Sequence, residues 1–403
     1  VVNPPSPHLD EAAVASALTA AAIELAAPIT TTLLAGGYSW RTYLVSGADG
    51  SSVVLRIAPR GGTLEPYDPA IEARALEASR ASVPAPRVLD VVRGHEPLGD
   101  PYLIQSTAPG EVLRLSAVTD DGEREQYRRT FARTLGVLNR DGDASMLGDA
   151  KSIGAALRDE LALVAERYRR AVHWPRPGFE IGLRWLLTHL PEVDEPPAFC
   201  HGDYRFGNLA WTGPGELGAV LDWERAWCGD PMADVAFTRV YSGWCAVDGS
   251  AVAEYERAGG PVDEQRVGYA KRFERVRSYT ASMLGAQAYR DGRSGDARLL
   301  DIGAAGEVGM TGLLDWLADD LLPLPVSWRA PVSGAPTPAP DALTASLVAL
   351  RRCDVPGLTS ALSDSDDLAA WQGAFALLAP LAATGSVELR APLDALALAV
   401  RSR

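Results

Sequence analysis

Hydrophobic and polar positions change period several times along the chain. Residues 9–27 are Ala-rich with apolar positions at helical spacing, which predicts an amphipathic helix. Short β segments follow at 31–34, 43–46 and 52–57, separated by the turn-formers Gly36-Gly37 and Gly47-Ala48-Asp49-Gly50. Helical spacing returns over 68–81, a strand is expected in 83–92 beyond Pro84 and Pro86, and another at 102–106. Residues 1–108 therefore read as a mixed, mainly β lobe. From 109 to 322 the pattern is mostly helical, with helices expected at 123–140, 152–173, 178–190, 263–290 and 296–322, broken by a non-helical island at 197–235. Six prolines between residues 323 and 340 mark a linker, and 341–403 regain helical periodicity as a small appendage. The expected class is α+β, a β-rich lobe followed by a larger helical one.

Composition narrows the function. The 403 residues are 47% hydrophobic and 22% charged, enough apolar material for sizeable cores and unlike a disordered chain. A net charge of −14 repels polyanions, so nucleic acid is not the expected partner. No run approaches the roughly 18 apolar residues of a membrane span. The N-terminal stretch has no basic residue before Arg41 and carries Asp10, Glu11 and Glu24, unlike a secretory signal. Cys200, Cys228, Cys245 and Cys353 form no C-x-x-C pair, so neither a zinc knuckle nor a disulfide framework is indicated, and the cytoplasm is the expected compartment. The five histidines show no metal-binding spacing, and neither a P-loop nor a G-x-S-x-G elbow is present. The only lysines are Lys151 and Lys271, so the first lobe has none.

The island at 197–235 carries the chemistry. His201-Gly202-Asp203-Tyr-Arg-Phe-Gly-Asn208 is an H-x-D-x4-N pattern, the spacing of a protein-kinase catalytic loop, where Asp takes the hydroxyl proton and Asn binds Mg²⁺. The apolar run 217–221 predicts a strand that delivers Asp222, a second hard oxygen ligand. Taken singly, each Asp is as readily a turn-former or helix cap. The ordered set, after a β-rich lobe, points to phosphoryl transfer. Glu224 is expected to pair with an arginine such as Arg225 or Arg205, with reach to the metal or a substrate amine as the alternative, and Trp211, Trp223, Trp227 and Trp244 are expected in the core, with one or two at a substrate cleft as the alternative. Asp315, Asp319 and Asp320 read as a solvated helix face.

HGDYRFGN followed by LDWERAWCGDPMADVAF resembles the aminoglycoside phosphotransferase and choline-kinase-like family of small-molecule kinases, over about residues 30–320. The resemblance implies a two-lobed, protein-kinase-like fold. It implies Mg²⁺ as cofactor, ATP or GTP as donor and a small-molecule hydroxyl as acceptor, with neither membrane nor nucleic acid as partner. Asp203 would be the catalytic base, Asn208 and Asp222 the metal ligands, and His201 and Asp234 braces of the loop. Gly36, Gly37 and Ser39, in LAGGYSW, would turn over the nucleotide phosphates. Arg56, in VVLRIAP, stands where the family has a strand lysine on the α- and β-phosphates, and Glu72 would be its ion-pair partner. Ser106 and Ala108 belong to the hinge segment whose backbone would meet the base.

Two departures stand out. Arg56 is not equivalent to lysine, although a branch similar to the kinase domains joined to acyl-CoA dehydrogenases often shows arginine there. Leu138-Asn139 replaces the more frequent Leu-His. The acceptor is expected to be an antibiotic such as an aminoglycoside or a metabolic hydroxyl compound, hydroxyacyl or sterol-like. The branch resemblance and the tryptophans favour the second. Arg56 also motivates a rival, a nucleotide-binding scaffold without turnover, which the intact Asp203, Asn208 and Asp222 oppose. Phosphorylation of protein side chains is disfavoured, because the twelve residues from Asp222 to Asp234 leave little room for a peptide-binding segment.

Overall fold

Alternating apolar positions in the first lobe are satisfied by one antiparallel sheet in a computed structural model of the protein, which describes residues 9–34, 38–172, 176–306 and 309–310. Its strands are β1 (Thr30–Leu33), β2 (Arg41–Ser46), β3 (Ser52–Ile57), β4 (Val88–Val92) and β5 (Tyr102–Ser106), in the order β1-β2-β3-β5-β4. The pleat sorts the side chains of β3 by face. Val53, Leu55 and Ile57 join Tyr43, Val45, Tyr102 and Ile104 in a small core under Val14, Ala17 and Leu18 of helix α1 (Glu11–Ala20). Arg56, opposite Leu103 in register, faces the other way, where Leu103 belongs to the main core.

Helix α1 is shorter than its Ala-rich pattern suggested. Ile23 N–H donates to Leu18 O (2.9 Å) and Ala22 takes a positive φ of 54°, a left-handed helix end. The chain reverses there so that Ile23, Leu25 and Ile29 can pack against the small core.

Helix α2 (Pro69–Ser79) crosses the inner face of the sheet. Asp68 caps it by accepting from Ala70 N (3.0 Å), Pro69 occupies the first turn, and Arg93 clamps Asp68 through two hydrogen bonds of 3.0 and 2.8 Å. Glu72, Ala75, Leu76 and Ser79 form its buried stripe.

The second lobe is built on α3 (Asp121–Asp141), α4 (Ile153–Ala171) and α5 (Pro177–Thr188). After β6 (Glu111–Val112), the island contributes β7 (Ala198–Cys200), the hairpin β8 (Leu209–Gly213) with β9 (Glu216–Val220), and β10 (Trp227–Gly229) paired with β7. Two helices, α6 (Pro231–Tyr241) and α7 (Ser250–Gly259), precede the long α8 (Glu264–Arg290). The expected island overran α6. Asp230 caps that helix by accepting from Met232 N (2.9 Å) and Pro231 opens it, an Asp-Pro start signal legible in sequence but read as loop. Helix α7 lies close on α3 because Gly136 meets it without a side chain, where a Cβ would sit 2.7 Å from Tyr255 O.

Trp211, Trp223 and Trp227 are buried as expected, and Trp244 is half-buried, its Nε1 donating to Leu115 O (3.1 Å). Among the described residues, no helix is long and apolar enough to cross a membrane, and Cys200, Cys228 and Cys245 are free thiols. A further helix begins at residue 298. Its expected extension to 322, the proline-rich stretch, the appendage at 341–403, Cys353, Gly36 and Gly37 lie outside the described residues.

The cap of α2 gives a test of how that helix is held. Asp68 is half-buried, which alone would raise its carboxyl, but the Arg93 hydrogen bonds and the Ala70 N–H hold it below its ordinary 3.8. A depressed carboxyl stabilises the fold fully above its unfolded pKa and loses that contribution as the pH falls through the folded one. Asp68→Ala should therefore cost about 1 kcal/mol in urea unfolding at pH 7, and the difference should shrink toward zero as the titration is repeated below the ordinary carboxylate range.

Candidate active site

Each motif residue is delivered by a short, over-determined piece of backbone. Asp234, fully buried on α6, accepts from His201 N and Gly202 N, both at 2.8 Å, and from Asn139 Nδ2 at 3.0 Å. Gly202 turns with φ +75°, and a Cβ there would lie 2.3 Å from Arg225 O, so only glycine fits. His201 Nδ1 accepts from Asp203 N (3.2 Å) while its Nε2 donates to Leu221 O (3.0 Å), which fixes a neutral ring protonated on Nε2. Burial keeps that imidazole uncharged, outweighing the neighbouring carboxylates Asp234, Asp203 and Asp222. One histidine thus ties the turn before Asp203 to the strand end before Asp222. Leu221 N donates to Asn208 O (2.8 Å), a second tie across the same gap.

The functional side chains converge at that junction. Asn208 Nδ2 donates to Asp203 Oδ2 (3.0 Å) and to Asp203 O (2.9 Å), while Arg205 Nε lies 3.3 Å from Asp203 Oδ1. Asp222 adopts a positive φ of 66°, and its carboxylate meets Arg56 from the opposite lobe at 3.0 Å. Arg56 Nη1 is 2.6 Å from Glu72 Oε1, an ion pair without hydrogen-bond alignment, and its Nη2 is 3.6 Å from Glu224 Oε2. The Arg56 guanidinium also lies over the Trp40 ring, 5.7 Å from its centroid. The expected Arg56–Glu72 pair is present.

Comparison with known proteins agrees with this geometry. Residues 30–271, more than half the chain, match the profile described as "Phosphotransferase enzyme family". The chain belongs to the phosphotransferase enzyme family. Acyl-CoA dehydrogenase family member 10 from Mus musculus is 32% identical over 209 residues, 50% of this chain but only 19% of the mouse protein. Among solved structures, a candidate aminoglycoside phosphotransferase from Ralstonia eutropha JMP134 superposes with a TM-score of 0.56 at 20% identity, covering 76% of this chain and 99% of that one. The GDP and kanamycin complex of APH(2")-IIia superposes at 0.53 and 15% identity over 76% and 99% of the two chains. These structures share the two-lobed kinase-like fold, so the expected fold class holds.

Several residues of this family member sit differently from expectation. Glu224 pairs with Arg56, not with Arg225 or Arg205. The reason is that Arg225 is drawn to Glu274 (3.2 Å) and Arg205 to Asp203. Ser39 Oγ donates to Tyr67 OH (3.1 Å), which also accepts from Leu64 N (3.2 Å). Ser106 N–H is taken by Arg87 O (2.8 Å) and its Oγ by Arg87 N (3.0 Å), whereas Ala108 N–H enters no hydrogen bond among the described residues. The Leu138-Asn139 departure has a physical account. Asn139 Nδ2 donates to Phe199 O (2.8 Å) as well as to Asp234, and its Oδ1 accepts from Tyr255 OH (2.9 Å), so the amide braces the loop's own brace. Tyr255 lies 116 residues away in sequence, and no local pattern announces it.

Electrostatics follow from crowding carboxylates around one cation. Burial raises Asp203 against the pull of Arg205 and Arg225, and Asp222 adds to the rise. Burial and Asp222 drive Glu224 well above its ordinary range despite Arg56. Burial raises Glu72 to about 7 although Arg56 opposes it. Of these four only Asp222 goes down, because Arg56, hydrogen-bonded to it, and Arg205 together overcome its burial.

If Asn139 holds Asp234 in place, Asn139→Ala should lower stability by about 1–3 kcal/mol, because it strands the Phe199 carbonyl and the Tyr255 hydroxyl in a dry core. Chemical denaturation of the two proteins side by side measures this, and a change within the noise would remove Asn139 from the brace.

Proposed function

We propose that the protein transfers the γ-phosphoryl group of ATP or GTP to a hydroxyl of a small molecule. The observation that carries this reading is the meeting of Asp203, held by Asn208, with an Asp222 that bonds Arg56 from the other lobe. In the proposed reaction the acceptor oxygen bonds to the γ-phosphorus as the bond to the bridging β–γ oxygen breaks. The hydroxyl proton passes to the Asp203 carboxylate, and the nucleoside diphosphate departs. A carboxyl raised by burial is a better proton acceptor near neutral pH than an ordinary aspartate. Arg56 would bind the α- and β-phosphates, oriented by Glu72, and Ser39 and the Gly36-Gly37 turn would close over them. The Ser106 and Ala108 backbone would meet the base, and the uncommitted Ala108 N–H suits that role.

The donor set also fits magnesium. Asn208 Oδ1 accepts no hydrogen bond among the described residues, Asp222 is ionised and partly exposed, and Glu72, Asp203, Asp222 and Glu224 outnumber Arg56 and Arg205. These are hard oxygens in excess negative charge, the chemistry Mg²⁺ seeks from one or two protein ligands. We assign Asn208 and Asp222 as its ligands; when bound, the ion offsets negative charge on the phosphate oxygens. The GDP and kanamycin complex of a protein of this fold, and the family itself, support nucleotide and small-molecule binding here. The rival scaffold reading draws on the Arg56–Asp222 contact, which occupies one oxygen of a proposed ligand.

Mass spectrometry of a hydroxyl-compound panel incubated with the protein and Mg-ATP or Mg-GTP separates the readings. A product heavier by one phosphoryl group is expected, falling about 100- to 10,000-fold in rate with Asp203→Asn. Nucleotide binding without any product would favour the scaffold, and absence of nucleotide binding would sink both.

A further inference from the structure

Between the lobes lies a cavity of about 200 Å³, with Tyr67 and Ile71 on one side and Leu163, Val164 and Leu284 on the other. Glu72 and Glu224 line it at the end held by Arg56. Its wall also carries three arginines, Arg167 from α4, Arg225 after Asp222, and Arg277 from α8.

Two of the three are committed. Arg277 Nε lies 2.8 Å from Glu160 Oε1 and its Nη1 3.3 Å from Glu274 Oε1, and its guanidinium stacks 5.2 Å from the Trp227 ring centroid. Arg225 Nη2 lies 3.2 Å from Glu274 Oε2. Arg167 makes neither a hydrogen bond nor an ion pair among the described residues, and its Nε is shielded from solvent. At this end of the cavity three guanidiniums therefore meet Glu160 and Glu274, and Glu160 acts on Arg167 only from beyond ion-pair distance, so Arg167 carries the local surplus. Arginine cannot relieve this by losing its proton, and a half-buried charge without an ion-pair partner is costly. Its planar fork matches the two oxygens of a carboxylate or phosphate.

We propose that the Arg167 side of this cavity binds an anionic group, carboxylate or phosphate ester, on the acceptor molecule, with Arg167 as the pairing residue and Arg225 and Arg277 flanking it. The word acceptor rests on the phosphotransfer reading above; the anion site does not. Arg225 connects the two places, because it lines the cavity and its charge acts on Asp203. The acceptor is then a hydroxyl compound bearing negative charge, and a bare polycationic sugar meets the wrong sign at Arg167.

The test is titration calorimetry of the full chain with three probes of one carbon length, ω-hydroxyhexanoate, ω-hydroxyhexyl phosphate and hexanediol, each with and without Mg-ADP. The wild-type protein should bind at least one anionic probe about tenfold or more tightly than the diol, and the tighter of the two names the group. Arg167→Ala, checked for native circular dichroism, should abolish that preference, and Arg167→Lys should restore part of it. Equal binding of all three probes, no binding of either anion at millimolar concentration, or an undiminished preference in Arg167→Ala would overturn the proposal. Failure to bind Mg-ADP would instead count against phosphotransfer and leave the anion titration standing.

Discussion

Arg56 is the one cation that three carboxylates from two lobes must share. Glu72 reaches it from α2, Asp222 from the end of the β9 segment and Glu224 two residues further on. Burial works against its charge, but those carboxylates together hold it protonated more firmly than an ordinary arginine. The arrangement is buried and polar at once, so breaking one arm leaves an uncompensated charge. The sheet face, the angle of α2 and the strand end at Asp222 are constrained together by that demand.

The second lobe answers with a chain of braces. Tyr255 holds Asn139, Asn139 holds Asp234, Asp234 holds the His201-Gly202 turn, and His201 holds both Asp203 and Leu221. Every link is a hydrogen bond in a dry interior, where an unmade bond costs more than a made one gains. The consequence is positional: Asp203 and Asp222 are fixed relative to one another by backbone, and the lobes are joined here by the Arg56 arm together with Val220 N, which donates to Pro84 O (2.8 Å).

Much of this was legible in order along the chain. The strands at 52–57 and 102–106 were read with their observed bounds, because runs rich in Val, Ile and Leu closed off by Gly50 and Pro59, or by Pro101 and Pro109, leave a strong local trace. The Arg56–Glu72 pair was legible through family resemblance, while the Glu224 arm was not, since a carboxylate directly before Arg225 in sequence reads as its partner. Asn139 was legible as a departure but not in its effect, because its partners come from three separate elements. The unpaired Arg167 could not have been found in a chain with 36 arginines. What distinguishes it is a shortage of carboxylates around it in three dimensions, and sequence spacing carries no record of that.

The arginine at position 56 has a consequence for chemical proteomics. Nucleotide analogues that mark kinases by acylating or otherwise capturing an ε-amine depend on an amine that can shed its proton. Here the residue proposed to touch the phosphates is a guanidinium that stays protonated, and the lobe around it contains no lysine. A nucleotide-binding protein built this way would leave no mark in such a survey, and its silence there would say nothing about whether it binds nucleotide.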